Sequence, residues 1–293
     1  MNNQRLVGEE GSLKRFLKKH EVLFVLVLIE VYIVGLTVAK QISAAAALPF
    51  LGEAVYQALC TAALMVWIVR KRLTGFFGLC RSSVPAVKML FYLPLMLTAA
   101  SSVLMGVSLR YPEGAKPEQQ MLSLVLRSVS MLFVGFLEEI LFRGFLFRSI
   151  AKKNLTAGVL CSSVLFGLCH FSETISWDTV MPSLMNIVLA LAAGFLLVMI
   201  FVRTGSLLVC IVFHSVNNIL TGFLPAERLL QVFGSEQTVL WVNFAFRFVL
   251  IVLYLLYVWK CLPKRNALRV GELFGEDSQN IPSTAAQKDS AFR

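Results

Sequence analysis

Long apolar runs separated by short polar connectors fill most of this chain. A helix needs about 20 mostly apolar residues to cross roughly 30 Å of hydrocarbon, and such stretches lie near residues 22–39, 48–69, 87–109, 121–147, 155–171, 181–202, 205–223 and 239–259. The runs are continuous and do not alternate with period two, which excludes a membrane β-barrel. Pro49, Pro85, Pro112, Pro117, Pro182 and Pro263 fall at or near the proposed ends, and Gly75, Gly78, Gly114 and Gly205 lie in or beside connectors. Pro94 lies inside the third run and predicts a kink there. The expected fold is all-α, a polytopic membrane bundle of about eight helices over residues 22–262. A basic N-terminal segment, 1–21, precedes it. The polar tail, 263–293, reads as disordered.

Composition narrows the chemistry. Of 293 residues, 57% are hydrophobic and only 15% charged, with a mean hydropathy of +0.75, against roughly 25% charged in soluble domains. No stretch is left for a soluble catalytic domain, so any chemistry belongs to the membrane helices. Lys and Arg resist translocation. With the N-terminus inside, 20 of the 27 fall on inner segments, four on outer connectors, and Arg127, Arg143 and Arg247 within spans. Both termini are therefore expected to be cytoplasmic. The formal charge of +10 then faces anionic lipid headgroups, not nucleic acid. Ala44 and Ala46 form an A-x-A pattern after the first run, as at a signal-peptide cleavage site, but that run is long for a signal sequence. The six cysteines show no C-x-x-C spacing and imply no disulfide framework.

A charged side chain at the centre of a span costs on the order of 2.5–3.5 kcal/mol on insertion scales, so each one is a functional candidate. Glu30 stands alone in its helix, and Glu53, Arg127 and Arg247 lie toward span ends, where interfacial or structural pairing accounts for them. The fourth span differs. Glu138, Glu139 and Arg143 interrupt the sequence Gly135–Gly144, which is otherwise apolar. On an α-helix Glu139 and Arg143 are i, i+4 and share a face, while Glu138 is rotated by about 100°. One carboxylate can be held by Arg143 while its neighbour is free to take and return a proton.

Two of the three histidines also lie in the predicted spans. Phe166 and His170 are i, i+4, as are His214 and Asn218, so Phe166 can wall a site beside His170. An amide beside the His214 imidazole can orient the ring, or both can donate to a developing oxyanion. Counted from the 152–153 turn at 1.5 Å per residue, Glu138 and His170 rise to about 21 and 25 Å, whereas His214 is about 14 Å beyond Gly205. A shared pocket then requires the 148–154 turn to protrude or the helices to tilt.

The motifs Glu138-Glu139-x-x-x-Arg143, Phe166-x-x-x-His170 and His214-x-x-x-Asn218 stand in one order, with Arg-Gly closing the first and Arg203-Thr204-Gly205-Ser206 leading into the third. On these residues, the segment 121–223 resembles the CPBP family of intramembrane proteases, also called the CAAX protease or Abi family. The resemblance implies a bundle enclosing a hydrophilic cavity and hydrolysis of a peptide bond there. By motif, Glu138 and His170 would activate water, with Glu138 preferred to Glu139 as general base. His214 and Asn218 would stabilise the oxyanion, and Glu139 and Arg143 would hold the geometry.

The family is often labelled metalloprotease, yet the chain has no H-E-x-x-H. Metal-independent water activation is favoured, and zinc held through His170, His214 and a Glu is the alternative. Eukaryotic relatives remove the last three residues of prenylated CAAX proteins, whereas bacterial relatives act in peptide maturation, bacteriocin self-immunity and regulation of membrane proteins. The short loops suit a bacterial plasma-membrane enzyme whose partners are the bilayer and a peptide or membrane-protein substrate. The sequence carries no sign of oligomeric state. Two other readings remain: a proton-coupled transporter using the same titratable residues, and a non-catalytic immunity or scaffold protein on the same fold.

Overall fold

The computed structural model describes residues 19–90, 97, 117–171, 177–221 and 226–263. The predicted third span with its Pro94 kink lies almost wholly outside the described residues, as do most of the N-terminal segment and the tail. The described elements are α1 (Glu21–Ala45), α2 (Leu51–Arg70), the short α3 (Thr74–Phe77) and α4 (Ala86–Met89), then α5 (Pro117–Glu139). A π-helical segment, Ile140–Phe147, continues α5 into α6 (Arg148–Ala151). They are followed by α7 (Leu155–Leu168), α8 (Trp177–Thr204), α9 (Leu207–Thr221), α10 (Ala226–Phe233) and α11 (Glu236–Cys261). No strand occurs among the described residues.

Among the described residues, five helical stretches are long and apolar enough to cross a membrane: α1, α2, Met121–Ala151, Val180–Thr204 and α11. The chain is a multi-pass membrane protein. One expected span differs. The run at 155–171 becomes α7 of 14 residues. At 1.5 Å per residue it reaches about 21 Å, short of the roughly 30 Å of hydrocarbon. The shortening of α7 has a local consequence. Its helix ends at Leu168, so Cys169 and His170 sit in the turn beyond it and not within a span.

Lipid-facing apolar residues need no partner, so a membrane bundle reads differently from a soluble one. On α1, Val25, Ile29, Tyr32 and Ala39 are buried, while Leu23, Val27, Val31 and Val34 on the other side are exposed, consistent with a helix that packs on one stripe and meets lipid on the rest. The central rod is α5 with the π segment, whose residues Ile140–Phe147 are all buried. Its aromatic side chains make edge contacts outward: Phe145 with Phe77, Phe142 with Phe166, and Phe147 with Phe201.

Association of helices in lipid relies on close van der Waals approach at small residues. A Cβ added to Gly135 on α5 would stand 2.2 Å from Ser215 Oγ and 2.7 Å from Ser215 N on α9. A Cβ on Gly194 of α8 would stand 3.1 Å from the Ser163 backbone of α7. The first contact draws α9 against the rod beside its charged residues, and the second packs α8 on α7. The α8–α9 turn is pinned by the 78–83 segment: Leu207 N donates to Gly78 O at 2.7 Å, Ser206 Oγ to Cys80 O at 2.6 Å, and Ser83 N to Thr204 O at 3.1 Å. At the base of the rod, Lys152 pairs with Glu21, and the Arg148 guanidinium lies over the rings of Phe76 and Phe201.

Candidate active site

The transition from α to π geometry comes immediately after Glu139, and π turns inside α-helices frequently mark functional positions. The sequence reading assumed α geometry throughout this span. The wider turn is seated where Gly144 meets the Phe77 ring, which an added Cβ would approach to 2.8 Å. The carbonyl of Phe142 within it accepts a hydrogen bond from Ser162 Oγ at 3.0 Å. Glu139 and Arg143 still meet across the change of pitch, with Arg143 Nη1 2.9 Å from Glu139 Oε1 and both side chains fully buried. Arg143 Nη2 also donates to the Gly194 carbonyl at 3.2 Å, and its guanidinium lies 4.3 Å from the centre of the Phe166 ring. Three elements therefore fix this cation.

His214 enters from α9. Its Nδ1 is 2.8 Å from Glu139 Oε1, the oxygen already bound to Arg143, and its Nε2 is 3.7 Å from Glu138 Oε2. A carboxylate engaged by a guanidinium accepts, so Nδ1 carries the proton and Nε2 is left toward Glu138. His170 is fixed in the same sense: its Nδ1 is 2.8 Å from the Phe166 carbonyl oxygen, which only accepts. Both histidines thus turn Nε2 away from their anchoring groups.

Phe166 ties the parts together. It is buried, with ring centres of His170 and His214 at 4.8 and 5.7 Å and Phe142 edge-on at 5.1 Å. His170, His214 and Asn218 line one cavity of about 150 Å³. Glu138 is not on its wall but touches it through His214. Glu138 Oε2 and Glu139 Oε2 are buried without a hydrogen-bond partner among the described residues, and both remain acceptors.

Of the residues selected from sequence, Glu138, Glu139, Arg143 and His214 form one connected cluster, and His170 and Asn218 share the cavity with His214. The depth mismatch counted along the helices does not persist, because the Gly135–Ser215 approach brings α9 alongside Glu139. Asn218 does not orient the His214 ring; Glu139 does, through Nδ1. The backbone carbonyls of Asn218 and Ile219 accept from Arg127 at 3.3 and 3.4 Å, which gives Arg127 a structural role on α9. Glu53 has one as well, accepting from Ser43 Oγ at the α1–α2 turn. Glu30 is exposed on α1.

Sequence reasoning missed several polar cavity residues, Asn217 and Tyr254 among them. Asn186 lines the wall and donates from Nδ2 to the His170 carbonyl at 3.4 Å; an in-span amide was a signal open to reading. Arg247 also lines the cavity, although its sequence position suggested an interfacial residue. As for zinc, no three His, Cys, Asp or Glu among the described residues are arranged to hold one ion. His214 Nδ1 and Glu139 Oε1 are engaged with each other and with Arg143.

Residues 120–220 match the family model described as type II CAAX prenyl endopeptidase Rce1-like. All three motifs lie within the matched segment. Over that segment the chain is similar to a family described as peptidases, and the rest of this multi-pass chain supplies the helices packed around the matched core. No curated protein and no solved structure matches the chain.

Proposed function

We propose that this protein is an intramembrane endopeptidase that hydrolyses a peptide bond of a peptide or membrane-associated protein by direct water attack. The observation that carries the reading is the His214 ring bridging two carboxylates, with Nδ1 2.8 Å from Glu139 and Nε2 3.7 Å from Glu138, at a cavity also lined by His170 and Asn218. Catalytic hydrogen bonds are often long before substrate binds, and the Glu138 side chain is 15% exposed and so not sealed from water.

In this reading Glu138 takes a proton from water as the water oxygen adds to the carbonyl carbon, with His170 Nε2 orienting that water. Negative charge develops on the former carbonyl oxygen. His214 Nε2 and the Asn218 amide donate to it, an arrangement of the oxyanion-hole kind. Because Nδ1–H points to Glu139, His214 donates from Nε2 only as imidazolium. That form balances the cluster: two carboxylates, one guanidinium and one imidazolium sum to zero, which matters where little water screens charge. The proton on Glu138 then passes to the leaving amine, and the bond breaks. Glu139 and Arg143 do not touch substrate; they hold the ring. No step in this scheme passes through a metal.

The enzyme is assigned to a plasma membrane of bacterial type, with both termini on the cytoplasmic side, on the strength of the Lys and Arg asymmetry. The test is a quantitative comparison of protein and peptide termini in membranes of cells expressing wild type, Glu138→Ala or His214→Ala at matched levels. New termini seen with wild type alone are expected, and they identify the substrate. Identical termini in all three, under conditions where wild type is biologically active, would remove the proteolytic reading in favour of transport or scaffolding.

A further inference from the structure

The arginines of the membrane helices separate into two groups. Arg143 is bound to Glu139 and the Gly194 carbonyl, Arg127 to the carbonyls of Asn218 and Ile219, and Arg203 to the Trp259 carbonyl at 2.8 Å. Arg247 has no hydrogen bond or ion pair among the described residues, although it is only partly exposed. It stands 11 residues into the 26-residue α11, about 16 Å along the axis. Neither end of the helix is close enough for its head to reach the headgroups easily. Its cost at this depth is several kcal/mol on insertion scales, and no described partner offsets it.

Its surroundings indicate what it is for. Arg247 lines the same cavity as His170, His214 and Asn218. The remaining polar side chains there are neutral: the amides of Asn186 and Asn217, and the Tyr254 hydroxyl, which donates to Met89 O at 2.6 Å. No carboxylate lies among the described lining residues. A guanidinium presents donors in a planar fork that matches a carboxylate at two points, and such charge-assisted bonds are about twice as strong as neutral ones.

We propose that Arg247 is the substrate anchor of the cavity, binding a carboxylate of the peptide, either its C-terminus or an Asp or Glu side chain. The inference rests on the peptidase reading for what occupies the cavity. Arg247 and the His214 ring share one small space, so the carboxylate lies within a few residues of the bond that is cleaved. It lies outside the matched segment 120–220, which makes it a specificity residue of this chain and not part of the shared core.

The test uses the full-length protein in nanodiscs and four pools of labelled apolar peptides randomised toward the C-terminus. One has a free C-terminal carboxylate and no Asp or Glu, one the same sequences as C-terminal amides, and two more repeat these with one acidic residue added. Retention on the protein and cleavage are read separately for wild type, Arg247→Gln, Arg247→Lys and Glu138→Ala. Retention of at least one carboxylate-bearing pool over the fully amidated, acid-free pool is expected, and Arg247→Gln should lower it by about tenfold or more. Arg247→Lys should restore part of that loss, which separates charge from folding. The pool that is preferred identifies the source of the carboxylate.

Equal retention of all pools, retention of none, or a preference unchanged in Arg247→Gln overturns the proposal. Competition by phosphate-headgroup lipid with no peptide preference also overturns it, because a lipid is then the partner. If carboxylate pools bind through Arg247 but none is cleaved, the anchor stands and the peptidase reading fails. If all pools are cleaved alike in a Glu138-dependent manner, the reverse holds.

Discussion

His214 Nδ1 lies 2.8 Å from Glu139 Oε1, the same oxygen that Arg143 Nη1 holds at 2.9 Å. This shared acceptor fixes the tautomer of the ring and leaves Nε2 for chemistry. Glu139→Gln removes the charge that supports His214 as the imidazolium, and an amide NH₂ facing Nδ1 opposes that doubly protonated form. In the Ser-His-Asp template the corresponding change lowers kcat by about 10⁴. A fall of at least about 100-fold per folded molecule is expected here, together with a lower melting temperature because Arg143 loses its buried partner, read as the rate of terminus formation alongside a melting curve of the purified protein. Wild-type turnover in Glu139→Gln would show that ring orientation is not its role.

For Arg143, which does not touch the catalytic atoms, stability is the main readout. Removing it leaves Glu139 buried with its charge uncompensated, a loss of about 3–5 kcal/mol for a buried pair. Arg143→Ala is expected to lower the melting temperature clearly and to reduce accumulation in the membrane. Arg143→Lys keeps the charge but cannot reach Glu139 and the Gly194 carbonyl together with the same fork, so it should recover only part of the stability. A melting curve for Arg143→Ala that superimposes on wild type would contradict the structural assignment.

How much of this was legible in the sequence depends on the kind of interaction. The charges of Glu138, Glu139 and Arg143 stood out because an apolar span makes every ionisable group conspicuous, and their i, i+4 geometry was local. The Glu139–His214 bond was not legible: it joins residues 75 positions apart, and helical counting had put His214 at a different depth. What reconciles the two is Gly135 against Ser215, a contact with no periodic signature. The end of α7 was misjudged because hydropathy does not record where a helix stops. His170 follows Leu168 and Cys169 with no Pro to signal the break, and the nearby Gly167 lies inside the helix. Arg247 was assigned to an interface because sequence alone does not say which wall of a bundle is hollow.

Gly135 sets the approach of α5 to α9, and an alanine there places its methyl 2.2 Å from Ser215 Oγ and 2.7 Å from Ser215 N. The hydroxyl can rotate but the backbone nitrogen cannot, so the helices must separate. Overpacking of this kind costs about 1–3 kcal/mol. Gly135→Ala is expected to lower activity more than that stability loss explains, because the same displacement lengthens the Glu139–His214 bond. Gly135→Ala combined with Ser215→Gly should recover only part of the rate. Full recovery in the double variant, measured as terminus formation, would place the clash at the hydroxyl alone.

Adjacent residues at the end of α7 provide an internal control. Cys169 is exposed, and His170 is half-buried with Nδ1 bound to the Phe166 carbonyl and a place on the cavity wall. Loss of a group that positions or deprotonates water typically lowers rate by about 10²–10⁴. His170→Ala is therefore expected to slow terminus formation by at least about 100-fold with little change in melting temperature, since an exposed turn contributes little to the core. Cys169→Ala should leave the rate within about twofold, as surface substitutions away from special features change little. Parallel losses in the two variants would mean that the turn acts as a structural unit, and the water-activating role of His170 would have to be given up.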